Sequence, residues 1–227
     1  MSLIEIGKKY PSSKNISGFI QLYEKHFAHL KESKINILEI GVDNGDSLRI
    51  WREYFSQANI CGIDIDKKDF IIENVSILQG DQSDKLFLES IIKKYEKFDI
   101  IIDDGSHQAK HIIASFNFLF SHLNDKGIYV IEDLQTSYLP RYGGSRLNLN
   151  KRNSSMNFIK SLTDSINYEQ NDKPFFKKKT FDGKIKSIYF YQNIAFINKG
   201  ESINYFYNHK KEHSLLDKIK RIISNFF

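Results

Sequence analysis

The chain has 227 residues, 41% of them hydrophobic and 14% aromatic, with a formal net charge of +5; this is enough apolar material for one α/β-sized core, so a single domain over 1–227 is expected. A lone cysteine, Cys61 in the apolar run NICGIDI, excludes an intrachain disulfide and suits a reducing, cytoplasmic setting, while no apolar segment approaches the roughly 20 residues of a membrane span and no signal peptide is seen. The lysines are spread among 28 acidic residues, so the positive balance reads as a solvated surface before it reads as a nucleic-acid footprint.

Residues 17–30 place Phe19, Leu22, Tyr23, Phe27 and Leu30 at helical spacing, and 1–33 reads as a helical cap able to fold over a ligand crevice. Next come a buried strand at 35–40, a tight turn at 41–45 and a helix at 47–55. Gly41 and Gly45 bracket the turn, which lets backbone approach a ligand and starts a helix whose first amides are electropositive. No Gly-Lys-Ser/Thr follows, which excludes a phosphate loop, and the match to the three-glycine dinucleotide pattern is loose. Glu39 in the strand and Asp43 in the turn repel a pyrophosphate and suit a cationic ligand, which tilts the reading to S-adenosylmethionine, with its sulfonium and amino group.

A second strand, 60–65, delivers Asp64 roughly twenty residues after the turn, where an acid accepts from ribose hydroxyls; Asp66 has a weaker claim. A third, 75–78, runs into Asp81 and Gln82, placed for an adenine amino group, and Ser83 or Asp84 caps a helix at 85–95.

Two further apolar runs, 100–102 and 128–131, are short, β-branched and end in acid. Asp103, Asp104 and His107 follow the first; Glu132 and Asp133 follow the second. The carboxyl ends of parallel strands form the ligand rim of an open α/β sheet, so these groups converge there. Clustered carboxylates are costly to desolvate unless a cation neutralises them, and oxygen donors without cysteine favour Mg²⁺ or Mn²⁺. Asp103 is expected to turn toward the backbone or the cofactor side. An isolated Asp-Asp-Gly would leave His107 as a mere helix-start residue; the paired Glu132 and Asp133 reverse that balance. His111 reads as an ordinary helix-face histidine, and His26 and His29 as solvated or partly packed.

Residues 134–155 contain GG, RNSS and Pro140, lack periodicity, and read as a long lid loop leaving the acidic rim; a helix follows at 155–166. Residues 187–200 read as two antiparallel strands around Gln192 and Asn193. The tail, 214–227, reads as an amphipathic helix with Leu215, Leu216, Ile219, Ile222, Ile223, Phe226 and Phe227 opposite Lys218, Lys220 and Arg221. Its first reading is packing on the body or on a twin subunit in a homodimer, ahead of lying on a membrane surface, and without stable membrane insertion.

In this order and spacing, LEIGVDNGDSLRIW, GIDI, QGDQSD, FDIIIDDGSH, YVIEDLQTSY and SIYFYQNIAFINKG resemble the metal-dependent sugar O-methyltransferases of the mycinamicin and tetracenomycin-rhamnose type, over residues 23–200. DDGSH followed by ED at the next strand end is the specific part. The resemblance implies a Rossmann-like class I S-adenosylmethionine methyltransferase fold: a seven-stranded, mostly parallel sheet with helices on both faces and an antiparallel last strand. It further implies Asp104, Glu132 and Asp133 as ligands of Mg²⁺ (or Mn²⁺ or Fe²⁺) and His107 as the base. The cofactor-facing set read above is Glu39, Gly41, Gly45, Asp64, Asp81, Gln82 and Asp103.

Two features depart from the family. The extra amino-terminal domain that shapes the tetramer of the mycinamicin enzyme has no counterpart within these residues, and the GTDK-like segment before the first helix is here PSSK, 11–14. The expected substrate is a sugar hydroxyl on a nucleotide-activated sugar or a surface-glycan (capsule or lipopolysaccharide) precursor, with Tyr138, Arg141 and Arg146 of the lid as contacts. The alternatives are a catechol-type or natural-product O-methyltransferase and a non-catalytic docking subunit that uses the basic tail. No Asn/Asp-Pro-Pro-Tyr motif supports base methylation of nucleic acid.

Overall fold

The computed structural model describes residues 1–168 and 179–201, with position 223 in the tail. Among them the apolar runs form β1 (Asn36–Ile40), β2 (Asn59–Asp64), β3 (Val75–Gln79), β4 (Phe98–Asp103), β5 (Leu123–Ile131), β6 (Ile185–Tyr191) and β7 (Ile194–Lys199). They make one sheet, ordered β3-β2-β1-β4-β5-β7-β6. β1 to β5 run parallel, and β7 inserts antiparallel between β5 and β6. The mostly parallel seven-stranded sheet expected from the resemblance is therefore present. Chain order reverses between β1 and β4, and at such a switch the strand ends part to leave a crevice.

Helices cover both faces. α1 (Leu3–Gly7), α2 (Ser13–Ile16), α3 (Phe19–Phe27) and α4 (Asp46–Tyr54) precede or follow β1; α5 (Lys85–Tyr95), α6 (Ala109–Leu119) and α7 (Ser155–Ile166) come later. One core joins α1, α3 and α4 to Ile37, Ile100, Ile102, Ile128, Val130 and Phe196. The other joins α5, α6 and α7 to Leu38, Ile40, Ile101, Tyr129 and Ile131. Successive side chains of a strand point to opposite faces, and this division of the core follows that alternation.

α3 departs from its expected role as a cover. Phe19, Ile20, Tyr23 and Phe27 are buried, and Tyr23 packs edge-on to Trp51 and Phe196 at 5.0 and 5.5 Å, so this helix belongs to the core layer. What reaches the crevice from the amino end is residues 11–14 and Ile16.

The expected lid at 134–155 begins as built structure. Leu134–Tyr138 and Pro140–Tyr142 are 3-10 turns, Thr136 and Ser137 are buried, and Ser137 Oγ lies 2.6 Å from Ser155 Oγ at the start of α7. Leu147 and Leu149 beyond them are exposed. The helix expected at 214–227 lies outside the described residues except for Ile223, which is helical and exposed. No described helix is long and apolar enough to cross a membrane.

Candidate active site

Strand register brings the site together. Ile40 pairs with Asp103 across β1 and β4, and Asp103 with Ile131 across β4 and β5, so Gly41, Asp104 and Glu132 leave three neighbouring strands at one level. Gly41 and Asp104 edge a cleft of about 630 Å³, whose walls also include Val42, Asp64, Asp81, Gln82, His107 and Asp133, while Glu132 is buried behind it.

The cofactor side starts at the glycine turn. Gly41 has φ 89°, and a Cβ there would lie 2.1 Å from the Asp104 carbonyl oxygen, so only glycine lets the two strand ends pass this closely. Gly45, at φ 79°, is the N-cap of α4, and a Cβ on it would meet the Phe70 ring at 2.6 Å. Asp64, ending β2, accepts from the amides of Val42 at 2.8 Å, Asp43 at 3.2 Å and Asp66 at 2.9 Å, and pairs with Lys68 Nζ at 3.0 Å. Burial works against its charge, yet the amides and the Lys68 ammonium hold its pKa below the ordinary carboxylate range.

Asp81 lines the cleft and accepts from Ser83 N at 2.7 Å and Ser83 Oγ at 2.8 Å; Asp84 makes the cap of α5. Gln82 is buried, accepts from Ser106 N at 2.8 Å and donates to Asp103 Oδ1 at 3.0 Å. Asp103 does not reach the cleft wall. It is 1% exposed, accepts from Ser115 Oγ at 2.8 Å on α6, and burial raises its pKa. Alternation along β4 explains the separation, because Asp103 shares the face of Ile101 while Asp104 shares that of Ile102. Asp103 thus fixes Gln82, and Gln82 fixes the loop that carries His107.

Glu39 is fully buried behind the turn. Its Oε2 accepts from Ser47 Oγ at 2.9 Å and Trp51 Nε1 at 3.1 Å, whereas Oε1 has no hydrogen-bond partner. Burial raises its pKa against the pull of Lys14. That Oε1 instead lies 3.4 Å from the Lys14 ammonium, and Glu39 is absent from the cleft wall, so it supports the glycine turn from behind; the acids that face the cleft, Asp64 and Asp81, are the ones that suit the hydroxyls and amino groups of S-adenosylmethionine.

The acidic rim divides in two. On the cleft side, Asp104, His107 and Asp133 each offer a donor atom, all within 4.8 Å of one another. His107 Nε2 stands 3.5 Å from Asp133 Oδ2. Oxygen and imidazole donors at this spacing fit a divalent cation. On the inner side, Lys14 from α2, 2% exposed, donates to Asp104 Oδ2 and Glu132 Oε1 at 2.6 Å each and lies 3.4 Å from Glu39 Oε1. The Tyr23 hydroxyl also donates to Glu132 Oε1. Burial alone would depress Lys14, but Glu132, Asp104 and Glu39 outweigh it and hold its pKa well above the usual value. Burial and then Asp104 push Glu132 up to about 8, against Lys14.

Lys14, Tyr23 and Lys68 are site groups that sequence reasoning does not assign. The local signal at Lys14 is the PSSK segment that stands where relatives have a GTDK-like one, but its partners Asp104 and Glu132, 90 and 118 residues away, cannot be read from it. Tyr23 reads as one more apolar position of a helix. Lys68, four residues after Asp64, is detectable in principle from that short spacing.

No family model matches the chain. Among curated proteins it is 36% identical over 215 residues to the mycinamicin VI 2''-O-methyltransferase of Micromonospora griseorubida, covering 88% of this chain and 53% of that one. It is 37% identical over 193 residues to a Streptomyces olivaceus 3'-O-methyltransferase acting on 8-demethyl-8-(2-methoxy-α-L-rhamnosyl)-tetracenomycin C, with 81% and 50% covered. Among solved structures, the methyltransferase of the mycinamycin biosynthetic pathway, in complex with Mg and SAH, superposes with a TM-score of 0.86 at 32% identity, covering 98% of this chain and 60% of that one. The chain spans about half the length of the curated relatives it matches.

Proposed function

We propose that this chain belongs to the family of metal-dependent class I sugar O-methyltransferases and that it moves a methyl group from S-adenosylmethionine to a sugar hydroxyl beside a divalent cation. The observation that carries the proposal is the single cleft in which the glycine turn and Asp64 meet the Asp104, His107 and Asp133 donors.

A sugar hydroxyl is a very weak acid, so its proton must leave as its oxygen attacks. A divalent cation held by Asp104, Glu132 and Asp133 would supply positive charge for the developing alkoxide and orient neighbouring hydroxyls. His107 takes the proton at Nε2, the ring nitrogen that stands toward Asp133. The sulfonium–methyl bond breaks, the oxygen–methyl bond forms, and charge balances as sulfonium becomes thioether and imidazole becomes imidazolium. Asp64 accepts from the ribose hydroxyls, with Lys68 yielding part of its hold, and the buried Glu39 supports the glycine turn from behind. General-base assistance contributes about 10²–10⁴-fold, whereas fixing two reactants in near-attack geometry supplies roughly 7–11 kcal/mol. Positioning therefore carries most of the catalysis.

A second reading of the cation site has a specific observation behind it. Asp104, His107 and Asp133 lie within 4.8 Å of one another, while Glu132 is engaged by Lys14 and Tyr23; in that reading the imidazole is a ligand in place of Glu132. The relatives' printed acceptors are sugars on macrolide or tetracenomycin cores. For this chain the acceptor class we favour is a sugar of a nucleotide-activated or surface-glycan precursor, because Arg141, Arg146 and Lys151 make the segment beyond Asp133 basic.

The test is methyl transfer from labelled S-adenosylmethionine, with Mg²⁺ or with EDTA, to three acceptors: a nucleotide-linked deoxysugar, a simple rhamnoside and a catechol. Mg²⁺-dependent labelling of either sugar supports the reading, and preference for the nucleotide-linked one supports its finer part. Labelling of the catechol alone overturns it.

A further inference from the structure

The ammonium group of Lys14 has three donors, and three carboxylates from three strand ends surround it. Glu39 comes from β1, Asp104 follows β4 and Glu132 follows β5. Lys14 touches Asp104 and Glu132 through one oxygen each, Oδ2 and Oε1. The opposite oxygens, Asp104 Oδ1 and Glu132 Oε2, have no hydrogen-bond partner among the described residues.

The lysine is held on a rigid support. Ser12 Oγ accepts from Lys14 N at 3.3 Å. Asn15 Nδ2 donates to the carbonyls of Gly7 at 2.8 Å and Tyr10 at 2.9 Å, which pins the turn between α1 and α2. The Tyr23 hydroxyl steadies Glu132 from the core side.

We infer that Lys14 is a positioning residue of the cation site, clamping Asp104 and Glu132 from behind so that their remaining oxygens face a divalent ion together with Asp133. The inference rests on the cation site proposed above and adds to it the amino-terminal segment 11–16 as a working part. It also bears on Glu132: the lysine occupies one oxygen of that carboxylate and leaves Oε2 to turn toward a cation, whereas the donors that already lie within 4.8 Å of one another are those of Asp104, His107 and Asp133.

Charge and positioning predict opposite signs, which makes the inference decidable. Removing a cation beside two ligands would by Coulomb's law tighten a divalent ion. Removing a group that orients ligands typically loosens the ion about 10–100-fold.

The experiment is calorimetric titration of Mn²⁺ into the metal-stripped 227-residue chain, for the parent, Lys14→Met and Lys14→Arg. S-adenosylmethionine affinity and melting temperature are measured alongside. We expect Lys14→Met to weaken Mn²⁺ by about 10–100-fold and Lys14→Arg to recover part of that loss. Unchanged or tighter Mn²⁺ binding in Lys14→Met overturns the inference. Should Lys14→Met fail to fold, Lys14→Arg decides alone: it keeps the charge but moves it, so parental Mn²⁺ affinity overturns the inference and weaker affinity with retained cofactor binding upholds it. Absence of Mn²⁺ binding in the parent removes the cation site itself and this inference with it, a failure distinguishable from one confined to the variants.

Discussion

His107 Nε2 lies 3.5 Å from Asp133 Oδ2, and both residues hold left-handed backbone, at φ 55° and 53°. Two non-glycine residues kept in that region at adjoining strand ends are held there by their surroundings, and such strain gathers where geometry serves a site. If His107 is the base, His107→Ala lowers kcat by about 10²–10⁴-fold while Mn²⁺ and S-adenosylmethionine still bind. Stopped-time assays paired with titration check this, and loss of Mn²⁺ binding in the variant would instead mark the imidazole as a ligand.

Asp133→Gly separates stability from function. Glycine adopts φ 53° without the Cβ penalty, and the substitution also removes one of the clustered negative charges. The expected gain is about 1 kcal/mol, which in a chain of this size raises the melting temperature by about 2–4 °C. Cation binding should fall at the same time. Differential scanning calorimetry in EDTA checks the gain, and a lower melting temperature contradicts it.

Lys68 competes for the carboxylate proposed to accept from the ribose. Its Nζ is 3.0 Å from Asp64 Oδ2, with both side chains mostly buried. Lys68→Met frees that oxygen and removes a positive charge from the path of a cationic cofactor. We expect S-adenosylmethionine to bind about 2–5-fold tighter, the equivalent of roughly 0.4–1 kcal/mol for one partly screened pair. Weaker binding would mean that the lysine itself contacts the cofactor.

Glu132 gives a pH signature with a definite sign. Its folded pKa stands at about 8, above the ordinary 4.5, so the folded state binds the proton more tightly than the unfolded chain does. Its contribution is fully present below about pH 4.5 and is lost as pH rises toward 8. In EDTA the parent should therefore lose stability from pH 5.5 to 8.5, and Glu132→Gln should show a shallower loss. Mg²⁺ ligation requires the carboxylate, so the stabilisation Mg²⁺ confers should grow over the same interval. Urea melts at several pH values, with and without Mg²⁺, read both slopes; equal slopes for parent and variant would remove Glu132 as their source.

The sheet is legible in the sequence because each strand is a short β-branched run bounded by Gly, Asp or Asn, and because α4, α5 and α7 carry clear apolar periodicity. α1 and α2 are not: with five and four residues they are too short to show a period. A capping box from Ser2 and a side-chain cap from Ser12 hold them instead. At the site, local spacing brings Asp104, His107, Glu132 and Asp133 to one rim. The different fate of Asp103 follows from strand alternation, which the acid-rich run DDGSH obscures. Lys14 ends the PSSK segment that differs from the family's GTDK-like one, but its partners are not in any local pattern, because its meaning depends on three strand ends meeting in space.

The position of Lys14 also orders events in time. Lys14 precedes its partners by 90 and 118 residues, so it emerges from the ribosome well before either acid. No nascent chain that stops short of β5 can complete the contact, and closing so long a loop is entropically slow. A sheet assembled before α2 docks presents Glu39, Asp104 and Glu132 to one another without a counter-charge. Docking of this earlier-made segment is then the step that relieves this repulsion, and the acidic rim matures only when residues 11–16 return to strands made well after them.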